Sequence, residues 1–544
     1  KYGRLQKDAF KEPGGNLLKK WIDDCPNQLY SALIYEGGAA FKKRVLDDIG
    51  DQDIVSKLIN KRSDNEFLEL MANLGGHCVP TLCDAFNGIN DDKPTAFIAY
   101  TIKGWGTPLA GHKDNHAGLM TKIQMDSFKS KFGITEGNEW NSFLDAKEDL
   151  ELNEFIKNSP FQKARHRKYN SKKIPVDDII SITETKISTQ NAFGKILDQY
   201  AKNNTEFGNR IITTSPDVSV STNLGPWINK KGLFSRTDSP DTFRDRKIPS
   251  AQKWIFSSQG QHIELGIAEM NLFLMLGAAG LSHELFGERL FPIGTVYDPF
   301  IARGLDAMNY ACYQDARFMI VGTPSGVSLA PEGGAHQSIG TPLIGISQPG
   351  LLSYEPAFAD ELSIIMNYGF NYLQDENGGS VYLRLTTRPI EQPLREINHE
   401  LKHNVVKGGY WLRKPGPNPE IIIIYQGVVA SEAVEATALL GERFKDIGVL
   451  GITSSDNLFH DWKNKYLTNE KNNKNSHIED LLKIIPKDTK IVTVIDGHPM
   501  TLSWVGSVFG HKIIPLGVDK FGQTGSLNQL FSEFAIDSES ICNL

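Results

Sequence analysis

Glu269 lies in a run read as helical and mostly apolar, GQHIELGIAEM (Gly260–Met270), and no charge follows it in the continuation NLFLMLGAAGL. The run reads as a buried helix. Burial without a partner disfavours an ionised carboxylate and raises its pKa. Such a carboxyl is suited to sharing a proton with a ligand nitrogen near neutral pH. The plainer alternative is a helix-start carboxylate, held by the helix dipole or a neighbour. Tyr297, Phe300 and Arg303 follow at three-residue spacing in VYDPFIARGLD, after the strand-like stretch Leu290–Val296. Phe300 offers a flat face to a heterocycle, or simply packs in a core. An arginine inside an apolar segment needs an anion, and Asp306 lies one helical turn further on. Glu332 and His336 sit in LAPEGGAHQSIG after strand-like FMIVGT. The Gly-Gly step allows close backbone approach, and His336 is either a candidate for acid/base or oxyanion-stabilising work or simply a surface-loop histidine. Lys103, His112 and His116 belong to AYTIKGWGTPLAGHKDNHAGLM. Two histidines four apart would share a helix face and bind metal, but the Gly and Pro content makes this stretch a loop, so zinc is rejected. Arg388, in LRLTTRP, binds an anion or makes a surface ion pair worth under about 1 kcal/mol.

Each of the Glu269, Phe300 and His336 segments is an apolar run that breaks at Gly or Pro into polar groups. Ligand loops at the carboxyl ends of parallel strands have this form. From Ile174 to Gln392, NRIITTSP, ERLFPIGTV, ARFMIVGT and SVYLRLTT alternate with helical segments, which implies a mostly parallel sheet with crossover helices. Asn404 to Leu544 repeats the alternation in EIIIIYQG, SEAVEATALLGERF, IGVLGIT, KIVTVIDG and KIIPLGV. Residues 1–173 carry amphipathic helices such as GNLLKKWIDD and DNEFLELMANL, with one buried strand expected at PTAFIAY, Pro94–Tyr100. The fold class is α/β, with helices on both sheet faces and consecutive domains at 1–173, 174–392 and 404–544. Basic FQKARHRKYNSKK (161–173) reads as a linker, 393–403 as a polar connector, and 469–476 as a surface loop.

The chain has 544 residues, too many for one core, and length suggests roughly three or four domains. Its 40% hydrophobic and 23% charged content is that of an ordinary globular protein. A net charge of -7 argues against non-specific nucleic-acid binding. Five scattered cysteines argue against a disulfide framework and fit a reducing, cytoplasmic setting. No apolar run reaches the ~20 residues that cross a bilayer, so no membrane partner is expected.

In IELGIAEMN, the Tyr-x-x-Phe-x-x-Arg spacing and the Gly-Gly-Ala-His segment, taken in this order, the chain resembles the thiamine-diphosphate enzymes of the transketolase superfamily. The resemblance implies that Glu269 hydrogen-bonds the cofactor's aminopyrimidine, that Phe300 stacks on it with Tyr297 and Arg303 beside it, and that His336 faces the substrate. It implies that His116 reaches the active centre from a mobile loop, with Lys103 and His112 as neighbours. Within the superfamily, KYGRLQKDAFKEPGGNLLKKWID, NLGGH, the HKDNHAG loop, GLLSYEPAFADELSIIM and the Glu332–His336 segment look like the homodimeric pyruvate dehydrogenase E1 component. That branch implies decarboxylation of pyruvate and transfer of the acetyl unit to a lipoyl domain of a dihydrolipoamide acetyltransferase (E2). Arg388 and the Tyr297–Arg303 spacing instead resemble transketolase and 1-deoxy-xylulose-5-phosphate synthase, where an arginine meets a substrate phosphate. The Gly-Asp-Gly motif with its downstream Asn, which holds Mg2+ and the diphosphate in the family, is not in the sequence; IDGHP at 495–499 is the nearest string. The chain opens without Met, so the expectation is that an upstream segment or a partner chain supplies that half, and that this chain alone binds the cofactor poorly. A non-catalytic interaction subunit is the remaining alternative. Leu516–Leu527, LGVDKFGQTGSL, is read as exposed and given no chemistry.

Overall fold

The computed structural model describes all residues except 51–52, 142–149, 160–161, 163–170, 239–241, 250–251 and 468–474. Most of the expected basic linker and of the polar loop at 469–476 therefore lies outside the described residues. The chain forms two compact units, Lys1–Arg165 and His166–Leu544.

The first unit is built on short helices, among them Gly15–Asp24, Asn27–Glu36, Gly38–Ile49 and Asp64–Ala72. Their apolar faces meet in a core where Trp21, Tyr30, Phe41 and Phe67 pack mostly edge to face. Ser63 and Glu66 close a capping box at the start of Asp64–Ala72. The expected buried strand at Pro94–Tyr100 is corrected: the segment pairs with no strand among the described residues, and Ile98 is 87% exposed. An apolar β-former becomes a strand only when a neighbour completes its ladder and covers its side chains.

The second unit carries the sheets. In chain order its strands are β1 (Lys186–Ile187), β2 (Ile211–Ser215), β3 (Leu233–Phe234), β4 (Phe256–Ser257), β5 (His262–Glu264), β6 (Phe291–Val296), β7 (Met319–Gly322), β8 (Leu351–Tyr354), β9 (Ser380–Arg384), β10 (Ile390–Glu391), β11 (Gly409–Arg413), β12 (Ile421–Gln426), β13 (Gly448–Ile452), β14 (Lys490–Ile495) and β15 (Ile513–Leu516). An eight-stranded sheet in the order β4-β3-β5-β2-β6-β7-β9-β8 is parallel throughout. A five-stranded sheet, β11-β13-β12-β14-β15, is parallel except for its antiparallel edge strand β11. This is the α/β architecture expected from the alternation.

Side-chain alternation sorts each strand between two cores. On β7, Met319 and Val321 join a core with Phe193, Tyr200 and Phe370, whereas Ile320 joins Leu272, Phe273 and Leu276 on the opposite face. The second core seats the helix Glu269–Gly280 on the sheet. That helix is buried on this side only, and Met270 and Leu274 remain exposed. The polar connector at 393–403 is corrected at its end, since Asn398 caps a helix running His399–Lys407. Among the described residues no helix is long and apolar enough to cross a membrane.

Candidate active site

The Glu269 carboxylate occupies the first turn of its helix, where the helix dipole favours negative charge. Its side chain is 11% exposed and accepts a 2.5 Å charge-assisted hydrogen bond from Arg303 Nη1. The anionic partner of Arg303 is thus Glu269, not Asp306. A 3-10 turn, Asp298–Gly304, brings the pair together after β6 ends. Gly304 permits the approach, because a Cβ there would lie 2.1 Å from the Phe273 ring and 3.3 Å from the Glu269 carbonyl oxygen. The Arg303 guanidinium also covers Phe300, 3.8 Å from the ring centroid.

His336 completes the cluster from the loop after β7. Its ring lies 5.5 Å from Phe300 and 6.0 Å from Tyr297, and Tyr297 stacks on Phe300 at 6.0 Å. His336 Nδ1 is buried and has no hydrogen-bond partner among the described residues. A buried polar atom left unpaired is costly. Glu332 is exposed in the same loop. The sequence-predicted residues Glu269, Tyr297, Phe300, Arg303 and His336 therefore converge.

Arg388 does not join them. Its Nη2 donates to Glu432 at 2.5 Å, and its guanidinium packs on Phe531, 4.6 Å from the ring centroid. In the first unit Lys103 Nζ lies 2.7 Å from His116 Nδ1, and Asn115 donates to the Lys103 carbonyl at 2.8 Å. His112 packs against Tyr35 at 4.6 Å. A cavity of ≈ 500 Å³ is lined by Tyr35, Lys103, His112 and Asn115, among others.

Two features next to the site were not anticipated. The 516–527 segment touches the His336 loop, where Gln337 Nε2 donates to the Gln523 carbonyl at 2.8 Å. Beneath that loop lies a fully buried set of charges. Arg384 Nε donates to Asp298 at 3.0 Å, its Nη1 to Glu355, and its Nη2 to the Asp496 carbonyl at 2.8 Å. Arg384 in the fully buried strand SVYLR was the available signal, since a buried guanidinium requires anions.

Three carboxylates share that one cation. Burial pushes Glu355 up to about 7 and Asp496 up to about 6. The sign follows from linkage: a carboxyl whose folded pKa exceeds its unfolded value binds protons more tightly when folded. It therefore adds stability that is full below about pH 4.5 and is lost as pH rises through about 7. For Glu355 the difference amounts to about 3 kcal/mol. Glu355→Gln is expected to flatten the pH dependence of Tm between about pH 5 and pH 8. A variant that keeps the wild-type slope contradicts the assignment.

Residues 177–393 match the family described as pyruvate dehydrogenase E1 component middle domain, and residues 408–537 the transketolase-like C-terminal domain. The pyruvate dehydrogenase E1 component of Pseudomonas aeruginosa is 24% identical over 572 residues, covering 98% of this chain and 63% of that protein. The one from Cupriavidus necator is 24% identical over 464 residues, covering 80% of this chain and 50% of that protein. This chain thus spans between 50% and 63% of the length of these relatives. Among solved structures, transketolase from Leishmania mexicana superposes with a TM-score of 0.60 at 16% identity, covering 91% of this chain and 67% of that one, a likeness of fold. The chain belongs to the transketolase-like superfamily of thiamine-diphosphate-dependent enzymes.

Proposed function

We propose that this chain belongs to a pyruvate dehydrogenase E1 component, which decarboxylates pyruvate and passes the acetyl unit to the lipoyl domain of an acetyltransferase. The observation carrying this reading is the convergence of a nearly buried carboxylate, an aromatic ring and a histidine with an unpaired nitrogen. These residues fit one wall of a thiamine-diphosphate site. Arg303 covers both Glu269 and Phe300, but its side chain is 53% exposed, so it can leave them when a ring binds. Thiamine diphosphate, when bound, supplies the nucleophilic carbon and the electron sink for decarboxylation. Glu269 would hold a proton against a ligand ring nitrogen. Phe300 and Tyr297 would bear the heterocycle. His336 would face the substrate and act as a general acid/base or stabilise an oxyanion, with Glu332 at the edge. In the first unit His116 is assigned a further acid/base role, with Lys103 Nζ 2.7 Å from its Nδ1 and with His112 on the same loop.

Mg2+ is proposed to accompany the diphosphate. Among the described residues no group of three or more His, Cys, Asp or Glu is arranged to hold a metal ion. A homodimer is part of the proposal, supported by the exposed apolar Ile267, Met270 and Leu274 beside Glu269, and a cytoplasmic setting is proposed with it.

Arg388 separates this reading from ketol transfer, because Glu432 already neutralises it within the chain. In an assembly that supplies the Gly-Asp-Gly diphosphate half not found in this sequence, with Mg2+ and thiamine diphosphate, the protein is expected to turn over pyruvate with an artificial electron acceptor and to ignore ketose phosphates. Arg388→Gln, which can keep a hydrogen bond to Glu432, should leave the pyruvate KM within about threefold. Consumption of ketose phosphates that falls roughly tenfold or more in the same variant would overturn the pyruvate reading.

A further inference from the structure

Asp298 is fully buried, two residues before Phe300 and five before Arg303. Its carboxylate accepts hydrogen bonds from Ser338 Oγ, from Thr341 Oγ1 at 2.5 Å, from Tyr382 OH and from Arg384 Nε at 3.0 Å. Ser338 lies two residues after His336. Its hydroxyl oxygen accepts from the Gly326 N–H at 2.8 Å and from Arg384 Nη2 at 3.2 Å, so it closes the base of the loop that carries Glu332 and His336. The opposite side of that base is held by the five-stranded sheet. Asp496, at the end of β14, accepts the Val327 N–H at 2.9 Å. Gly326 has φ +63°, and a Cβ there would fall 2.1 Å from the Asp496 carboxylate. One carboxylate therefore ties the segment bearing Phe300 to the segment bearing His336, and one arginine spans both sheets.

Packing alone does not account for this arrangement. Apolar residues of the same volume often stabilise a fold as well as a buried ion cluster does. A network with every member bonded does something apolar packing does less well, which is to specify one geometry. Asp298 has four donors arranged about two oxygens, and they come from the loop after His336, from β9 and from Thr341. Any slip of the 3-10 turn relative to the His336 loop would break several of these bonds together.

We propose that Asp298 is a positioning residue: clamped by Arg384 and Ser338, it sets the spacing between the Tyr297–Phe300–Arg303 turn and the Glu332–His336 loop, with Asp496 completing the clamp. The catalytic consequence rests on the site assignment above, whereas the mechanical coupling does not.

The first readout is amide hydrogen exchange on the protein without added ligand. Asp298→Asn keeps the volume and removes the charge, and Ser338→Ala deletes a single hydroxyl. In both, peptides covering residues 297–304 and 328–337 are expected to exchange roughly tenfold faster together, while the helix Thr189–Asn203 stays unchanged. Glu361→Gln serves as the control, since Glu361 sits in a separate buried network with Arg395 and Tyr410. It should move neither peptide. The second readout is kinetic: kcat with pyruvate should fall on the order of a hundredfold at nearly constant KM, because the groups are present but misplaced.

If Asp298→Asn does not fold, Ser338→Ala carries the test. Faster exchange confined to residues 328–337 overturns the coupling, as does equal acceleration in the control. Coupled exchange with unaltered kcat in an active enzyme overturns the positioning role. A wild type that ignores pyruvate but shows coupled exchange removes the reading of function and leaves the clamp standing.

Discussion

Glu269→Ala is expected to lower thiamine-diphosphate-dependent turnover by roughly 10²–10⁴-fold, the range for loss of a positioned proton-transfer group. Stability should change little. The partner left behind, Arg303, is 53% exposed and returns to water when the carboxylate is gone, so the lost pair is worth about 1 kcal/mol or less. Glu269→Gln keeps the shape and a hydrogen-bonding amide but cannot exchange a proton, and it should be almost as inactive. Steady-state turnover beside thermal unfolding of the same preparations checks this. A variant that keeps most of its activity would remove Glu269 from the chemistry. A variant that loses activity and fold together would make it a structural residue.

Arg384→Met should have the opposite signature. Arg384 is 2% exposed and is the direct partner of Asp298, Glu355 and the Asp496 carbonyl. Removing it leaves buried carboxylates without a cation, which typically costs 3–5 kcal/mol or about that. The carboxyls relieve the loss by taking up protons, so the destabilisation should be larger at about pH 8 than at about pH 5. Denaturant midpoints at both pH values measure it. By contrast, Arg303→Met removes a half-exposed arginine and should cost under about 1 kcal/mol. Equal midpoints for the two variants would contradict the distinction between a buried clamp and a solvent-facing pair.

Periodicity made the second unit legible. The cores of the runs EIIIIYQG and ERLFPIGTV carry no charge, as strands buried on both faces require, and they form β12 and β6. The same rule failed at PTAFIAY, where the composition is right and no pairing strand is present among the described residues. The resemblance carried by three motifs in order singled out Glu269, Phe300 and His336, and the structure brings these candidate residues together. Arg388 had two readings, an anionic ligand or an ion pair, and Glu432, 44 residues further along the chain, meets it.

The sequence by itself pointed to the candidate residues and to the stretches that become parallel strands, because side-chain type and periodicity are local properties of each segment. Only the tertiary structure decided which charge meets which. Arg303 could have paired with Asp306 one turn away and pairs with Glu269, 34 residues back. Asp298, Arg384 and Asp496 gave no sign of acting together, since the ends of β6, β9 and β14 converge only after the sheets form. Ion pairing depends on distance and local dielectric, and neither quantity exists for residues far apart in sequence until the chain has folded.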